Sequence, residues 1–293
     1  MQTSDTSRTA FLMLLSAMLI YGTIGIFRRY IPLSSGMLAF SRGIIGSAFL
    51  WLFLRIRGHR FNMKIPGRKL LLLILSGAMM GANWMLLFES YNHTTVAKAT
   101  LCYYMEPMIV ILAAPFLFRE KLPLRKLLCV LAAFGGMVLV SGVLEGAQSG
   151  SNDLLGVALG LGSAVLYAAV VLMNKKITGV GAYEKTILQL LSAALIMVPY
   201  LLLTEDASAL SLAPASALML GIVCIVHTGI AYALYFGSIE HLRAQTVALV
   251  SYADPITAIL LSALLLHEPM TPLGVMGAAL VLGSTLLSEK IKA

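Results

Sequence analysis

Tyr104-Met105-Glu106-Pro107 recurs 148 residues later as Tyr252-Ala253-Asp254-Pro255, each time deep inside an apolar run. The same offset carries Phe88-Glu89-Ser90 onto Phe236-Gly237-Ser238, His93 onto His241, Glu120 onto Glu268 and Gly135 onto Gly283. With a slip of two residues, Leu166-Tyr167 matches Ile20-Tyr21, so the likeness reaches back to the first apolar segment. Two halves of one chain therefore repeat, and each holds a carboxylate-proline step. Polar, helix-interrupting steps in corresponding places of two halves point to a binding site at bilayer depth.

Composition sets the class around these steps. The chain is 59% hydrophobic and 12% charged, far from the globular balance. The charges fall between apolar runs long enough to cross a bilayer. Ten spans are read: 9–27, 37–54, 69–91, 94–118, 124–144, 154–174, 183–203, 214–238, 244–266 and 270–287. The loops left over are too short for a soluble domain. The expected fold is an all-α membrane protein of ten transmembrane helices arranged as two inverted five-helix repeats, residues 1–145 and 150–293, joined by a polar linker from Glu145 to Asp153. An odd number of spans per half makes the second half enter from the opposite side. The first run is a retained span, since Arg28-Arg29-Tyr30-Ile31-Pro32 offers no small-residue cleavage site. Cys102, Cys129 and Cys224 all lie within spans and read as packing, with no disulfide or metal site. Small residues one turn apart (Gly156 with Gly160, Ala132 with Gly136, Gly274 with Ala278) mark close helix approach within a monomer.

A net charge of +8 raises the question of nucleic acid, and placement answers it. Of the 21 basic residues, only Arg28, Arg29, Arg42 and Lys98 fall outside the segments that face one side of this topology. That is the positive-inside pattern, and it places both termini in the cytoplasm of an inner-membrane protein.

Glu106 and Asp254 are the first chemical candidates. An ionised group at mid-span costs at least about 2.5 kcal/mol on insertion scales. Pro107 and Pro255 each follow an acid and cannot bond the carbonyls of Tyr103 and Ser251. A freed carbonyl beside a carboxylate makes a negative pocket, which holds a proton, a cation or water. Two such acids suit proton coupling, or pairing with an ammonium; the bland alternative is an acid held neutral by one hydrogen bond to a neighbouring helix.

Tyr103, Tyr104 and Tyr252 flank the acids, Trp84 and Phe88 lie on the third span, and Tyr21, Tyr167, Tyr232 and Tyr235 occupy other spans. Trp84, Tyr104 and Tyr252 are candidates for a cage that holds a cation against Glu106 and Asp254; packing is the alternative. Tyr30, Tyr91 and Tyr183 read as interfacial belt residues. Arg42 is expected to snorkel to the outer surface, or else to face the cavity and bind a carboxylate. Gln189 takes the matching place in the seventh span. Asn83 and His227 are mid-span polar groups, either bonded in the core or lining the cavity. Glu89 and Lys98 are expected to pair across a gate, and Glu120 and Glu268 are candidate caps or gate contacts. No His-Glu-x-x-His, Gly-x-Ser-x-Gly or Gly-x-x-x-x-Gly-Lys motif occurs, so neither hydrolase nor nucleotide chemistry is indicated.

The five-plus-five repeat, Arg42 in the second span, and the endings Pro107…Phe118-Arg119-Glu120-Lys121 and Pro255…Leu266-His267-Glu268-Pro269 resemble the drug/metabolite transporter superfamily, specifically its ten-span EamA-type members. The resemblance implies an inner-membrane carrier with a central cavity lined by both halves, working by alternating access. Relatives of that family commonly carry an uncharged residue where Glu106 stands, which favours a cationic or proton-linked substrate here. The expected function is a secondary active exporter of small metabolites such as amines, amino acids or organic cations, coupled to protons. It is expected to need no cofactor and to have no nucleic-acid partner. The alternatives are an uncoupled amino-acid facilitator, a channel, a receptor or an intramembrane enzyme.

Overall fold

The computed structural model describes residues 2–61, 64–118, 122–142, 144, 151–205, 212–239, 241–242, 244–268 and 270–291. Among them the chain is helical throughout. The helices are α1 (Gln2–Arg29), α2 (Ser35–Ile56), α3 (Gly67–His93), α4 (Val96–Tyr103), α5 (Glu106–Phe118), α6 (Leu124–Ser141), α7 (Ser151–Lys176), α8 (Ala182–Thr204), α9 (Pro214–Cys224), α10 (Ala231–Ile239), α11 (Ala244–Ser251), α12 (Ala253–Leu265) and α13 (Pro272–Lys290). A π-helical turn, Ile225–Ile230, joins α9 to α10. Eight segments are long and apolar enough to cross a membrane, and two shorter apolar helices, Leu249–Leu265 and Pro272–Ser288, complete the set. Phe116, Leu202 and Leu203 are 79–88% exposed, a placement that suits lipid contact better than water.

Local sequence sets the boundaries. Ser34, Thr95 and Thr271 cap α2, α4 and α13 by accepting from the backbone N–H three residues on, at 3.0–3.2 Å. Pro214 and Pro272 occupy first-turn positions, where a missing N–H costs nothing. Gly142 ends α6 in the left-handed conformation at φ 76°. The fourth and ninth spans, read from sequence as single segments, are each broken in the middle. Pro107 stops α4 at Tyr103, and Tyr104-Met105 forms the turn before α5. In the second half Tyr252 is the turn between α11 and α12, just ahead of Pro255. Loss of the N–H and a ring clash with the preceding turn are sufficient causes.

Packing across the molecule relies on close backbone approach. A Cβ on Gly43 would lie 2.7 Å from the Leu190 carbonyl oxygen, and Cβ atoms on Gly77 and Gly81 would lie 2.6 and 2.7 Å from those of Gln189 and Ala193. Thus α2 and α3 both seat against α8. Gly136 would meet the Gly277 carbonyl at 2.7 Å where α6 crosses α13, and Gly22 would meet that of Asp254 at 2.6 Å where α1 runs beside α12. Gly156 and Gly160 serve contacts to Thr94 and Cys102. Such approaches supply the dispersion that lipid-embedded helices depend on. Each pairing has a counterpart 148 residues on: α3 packs on α7 as α10 packs on α1, and α5 touches α7 as α12 touches α1. The three cysteines are buried thiols.

Candidate functional site

Both helix breaks open onto one cavity of about 850 Å³. Glu106, Pro107, Tyr103 and Tyr104 line it from the first break, and Tyr252 and Asp254 from the second. Arg42, Trp84, Tyr21, Tyr167 and Gln189 complete the part of its wall foreseen from sequence. Pro255 is buried behind Asp254.

The breaks change the local electrostatics expected for the acids. Glu106 is the first residue of α5 and Asp254 the second of α12. Each acid therefore sits in the first turn of a helix, at the positive end of the helix dipole. Pro107 and Pro255 deny the carbonyls of Tyr103 and Ser251 an N–H, and the helix starts add the positive end of a dipole beside each acid. The Tyr104 hydroxyl donates to Asp254 Oδ2 at 2.7 Å, which ties the first break directly to the second. Tyr103 meets Tyr104 edge-on, at 5.8 Å between centroids, and Tyr167 at a tilt, at 5.4 Å. Tyr21 meets Tyr232 edge-on at 5.8 Å, and its hydroxyl has no hydrogen-bond partner among the described residues.

Arg42 does not snorkel. It is 4% exposed and projects into the cavity wall. Its guanidinium stacks 4.0 Å from the Trp84 ring centroid and 5.3 Å from that of Phe88, and its Nε donates to Thr228 Oγ1 at 3.0 Å. Among the described residues no carboxylate lies within ion-pairing distance of it. The reason is geometric: α2 presents Arg42 on the face that seats against α8 and the π turn, so the side chain is enclosed before it can reach the membrane surface. Trp84, foreseen as part of a cage around the acids, lies instead beneath this internal cation. Gln189, on α8, donates from Nε2 to Ser76 Oγ at 2.7 Å and to Asn174 Oδ1 at 2.8 Å.

Two foreseen polar groups lie off the cavity. Asn83 is fully buried and donates to the Ser163 carbonyl at 2.6 Å. His227, on the π turn, bonds Thr23 Oγ1 through Nε2 at 2.8 Å and meets the Phe27 ring at 4.9 Å. Tyr91, foreseen as a belt residue, is 2% exposed and lines the cavity, whereas Tyr30 is 58% exposed.

At the end of the bundle where α3 gives way to α4, charge pairs form, though not the pair expected. Lys98 bonds Asp153 at 2.8 Å, and Glu89 accepts from Ser35 at 2.7 Å and from Asn92 at 3.0 Å. Glu89 and Lys98 thus have separate partners, because the start of α7 brings Asp153 to Lys98 first; Thr94 Oγ1 also bonds Asp153. Glu268 joins three elements. Its Oε1 accepts from Arg29 Nη2 at 2.6 Å, and its Oε2 accepts from the Val96 backbone N–H at 3.0 Å and from Ser262 Oγ at 2.7 Å. Glu120 lies outside the described residues. At the opposite end His59 bonds Glu184 at 3.2 Å, and the cavity wall continues towards that end through Asn174, Thr186 and Phe236. Among the described residues no His, Cys, Asp and Glu cluster suits a metal ion.

Sequence reasoning missed Thr228. Tyr232 and Tyr235, counted from sequence among the aromatics near the acids, also line the cavity. Thr228 follows His227 in a run that reads as a regular helix, and only the π turn gives it a role.

A sequence model of the EamA-like transporter family matches the chain twice, at residues 8–142 and 154–289. Uncharacterized transporter YxxF of Bacillus subtilis (strain 168) is 29% identical over 263 residues, 88% of this chain and 82% of that protein. An uncharacterized transporter of Vibrio cholerae is 26% identical over 276 residues, 90% of this chain and 86% of its own. Protein RarD of Salmonella typhi is 30% identical over 204 residues, covering 68% and 65% respectively. A crystal structure of a protein 20% identical in sequence superposes with a TM-score of 0.68 over 98% of this chain and 99% of its own, a likeness of fold.

Proposed function

The chain belongs to the EamA-like transporter family, and on that premise we propose that it is a secondary active exporter of small metabolites, taking amines, amino acids or organic cations and coupled to protons. It is a transporter and not an enzyme, in line with its transporter-named relatives. The observation that carries the finer reading is the cavity of about 850 Å³ with a guanidinium, Arg42, in one part of its wall and two carboxyl groups, Glu106 and Asp254, in another. A small solute with both an ammonium and a carboxylate is complementary to such a wall. The tyrosines between these groups offer faces to an ammonium, and a bidentate guanidinium suits a carboxylate. Amino acids thus fit best of the three classes.

The working cycle is alternating access about this cavity. In support, Glu268 latches Arg29 to Val96 at one end of the bundle, while the cavity wall extends towards the other. The two five-helix halves, about 1–145 and 150–293, are read as inverted repeats. The paired breaks and the symmetric packing support that reading, with α11 and α12 together forming the ninth span and α13 the tenth. The positive-inside count supports a reading with both termini in the cytoplasm, and an inner-membrane place belongs to the same proposal. The test is a thermal-shift screen of the purified protein against L-amino acids, polyamines and quaternary ammonium compounds. A ligand of the folded state raises the melting temperature by mass action; the expectation is a rise with one or more amino acids. Stabilisation by quaternary ammoniums alone would replace the amino-acid reading with an organic-cation one.

A further inference from the structure

The π turn Ile225–Ile230 is used by nothing in the transport reading so far, yet it touches the cavity's arginine. Thr228 is fully buried on this turn, and its hydroxyl does two things at once. It accepts the Nε–H of Arg42 at 3.0 Å and donates to the Val223 carbonyl at 3.2 Å, five residues back. His227 likewise approaches the Ile222 carbonyl, five residues back, at 3.4 Å. Five is the π spacing; in a regular helix a threonine bonds three or four residues back. The widened turn therefore sets the direction of both side chains. His227 fastens the turn to α1 through Thr23, at 2.8 Å. On the other side Gly46, one helical turn after Arg42, leaves no room for a side chain between α2 and Thr228, since a Cβ there would lie 2.9 Å from the Thr228 Cβ. Thr228 is thus wedged against α2 next to the guanidinium it bonds.

We propose that Thr228, placed by the π turn, is the positioning residue for Arg42: it fixes the guanidinium so that its outer Nη edge is presented to a substrate carboxylate in the cavity. A guanidinium plane has two loose motions, sliding across its stacking partner and spinning within its own plane. The Trp84 face at 4.0 Å limits tilt, and the Nε–H bond to Thr228 stops the spin. With Nε engaged, the two Nη atoms form the edge left for bidentate contact. The proposal rests on the reading that the cavity takes a carboxylate-bearing solute.

The test has a ligand-free and a ligand-dependent half, both with the full chain in detergent or nanodiscs. In the first, the Arg42 Nε–H is followed by NMR of protein labelled with 15N-arginine, its signal assigned by its loss in Arg42→Lys. Solvent exchange of this proton is slow in the native protein and in Thr228→Ser, which keeps the hydroxyl. In the isosteric Thr228→Val exchange is faster by about tenfold or more, as expected for loss of a hydrogen bond to a charged group. Equal exchange in native and Thr228→Val protein overturns the proposal. In the second half, the L-amino acid that most stabilises the native protein is titrated beside its carboxamide, which lacks the anionic carboxylate. Thr228→Val weakens binding of the acid by about tenfold and leaves the carboxamide unchanged, while Thr228→Ser matches native. Equal loss for acid and carboxamide in Thr228→Val would mean packing and overturns the positioning role. If the native protein itself binds acid and carboxamide equally, and Arg42→Gln changes neither, the carboxylate reading of the cavity fails, whatever the NMR result says of Thr228.

Discussion

Replacing Glu268 by alanine removes three hydrogen bonds that join α1, α4 and the end of α12. The parts differ in worth. The ion pair to Arg29 is partly solvated, with side chains 32% and 17% exposed, and contributes less than about 1 kcal/mol. Arg29 also keeps the Thr94 carbonyl at 3.2 Å. The Val96 N–H is the larger matter, because Val96 is fully buried at the first turn of α4. Leaving such a donor without a partner costs about 1–3 kcal/mol. With the Ser262 bond included, the closed arrangement loses about 3 kcal/mol, more than a hundredfold in an equilibrium constant. Glu268→Gln keeps a carbonyl oxygen for the N–H and loses mainly the ion pair, so its effect is about 1 kcal/mol or less.

In the proposed alternating-access cycle this loss becomes opening. If the latch breaks when the carrier opens at that end, the whole cost falls on the closed state and none on the open one. Leu87, 7% exposed and lining the cavity, is a suitable reporter once changed to cysteine in a chain whose three native cysteines are replaced. Labelling of Leu87→Cys by a membrane-impermeant maleimide added to intact cells is expected to quicken at least tenfold in Glu268→Ala and only severalfold in Glu268→Gln. The melting temperature should fall little, since the open carrier is still folded. A Glu268→Ala protein that melts much earlier yet labels at the native rate would refute the latch argument and leave Glu268 as a helix cap alone.

Three further outcomes are expected. Transport should depend on pH, and Glu106→Gln or Asp254→Asn should each remove that dependence in a folded protein; an unchanged pH profile of uptake into proteoliposomes would make the acids structural. Tyr252→Leu should weaken binding of an ammonium-bearing ligand by roughly tenfold or more while Tyr252→Phe is tolerated, read by calorimetric titration; equal loss for a neutral ligand of the same size would mean packing. A cysteine replacing Gly150 should react with an impermeant thiol reagent in intact cells, and reaction only after lysis would contradict the inverted arrangement of the two halves.

The helical class, the repeat and the positions of both interruptions were legible in the sequence because each has a one-dimensional cause. Apolar length marks a span, and a proline one residue after an acid marks a break wherever it stands. The cavity residues adjoining those breaks followed from sequence neighbourhood alone. What was not legible depends on which helix arrives first. Lys98 lies near Glu89 in a topology diagram, yet Asp153 bonds it, because α7 packs on α4 through Gly156 and Gly160. No periodicity within either segment encodes that crossing.

Arg42 makes the same point about function. Position along its span placed it near the outer surface, where a long flexible side chain can reach water and needs no partner. The fold denies it that route: glycines 43 and 46 draw α8 and the π turn against α2, and the enclosed cation then settles on Trp84 and Thr228. An aromatic foreseen as a receptor for substrate cations thereby becomes the platform for the protein's own cation. The cavity wall consequently holds a guanidinium as well as two carboxyl groups, with aromatic rings among them. On the proposed function, a solute is required to complement the guanidinium as well as the carboxyl groups. That requirement separates an amino acid from a simple amine more sharply than cavity size does, and it follows from α2 packing that no motif in the sequence announces.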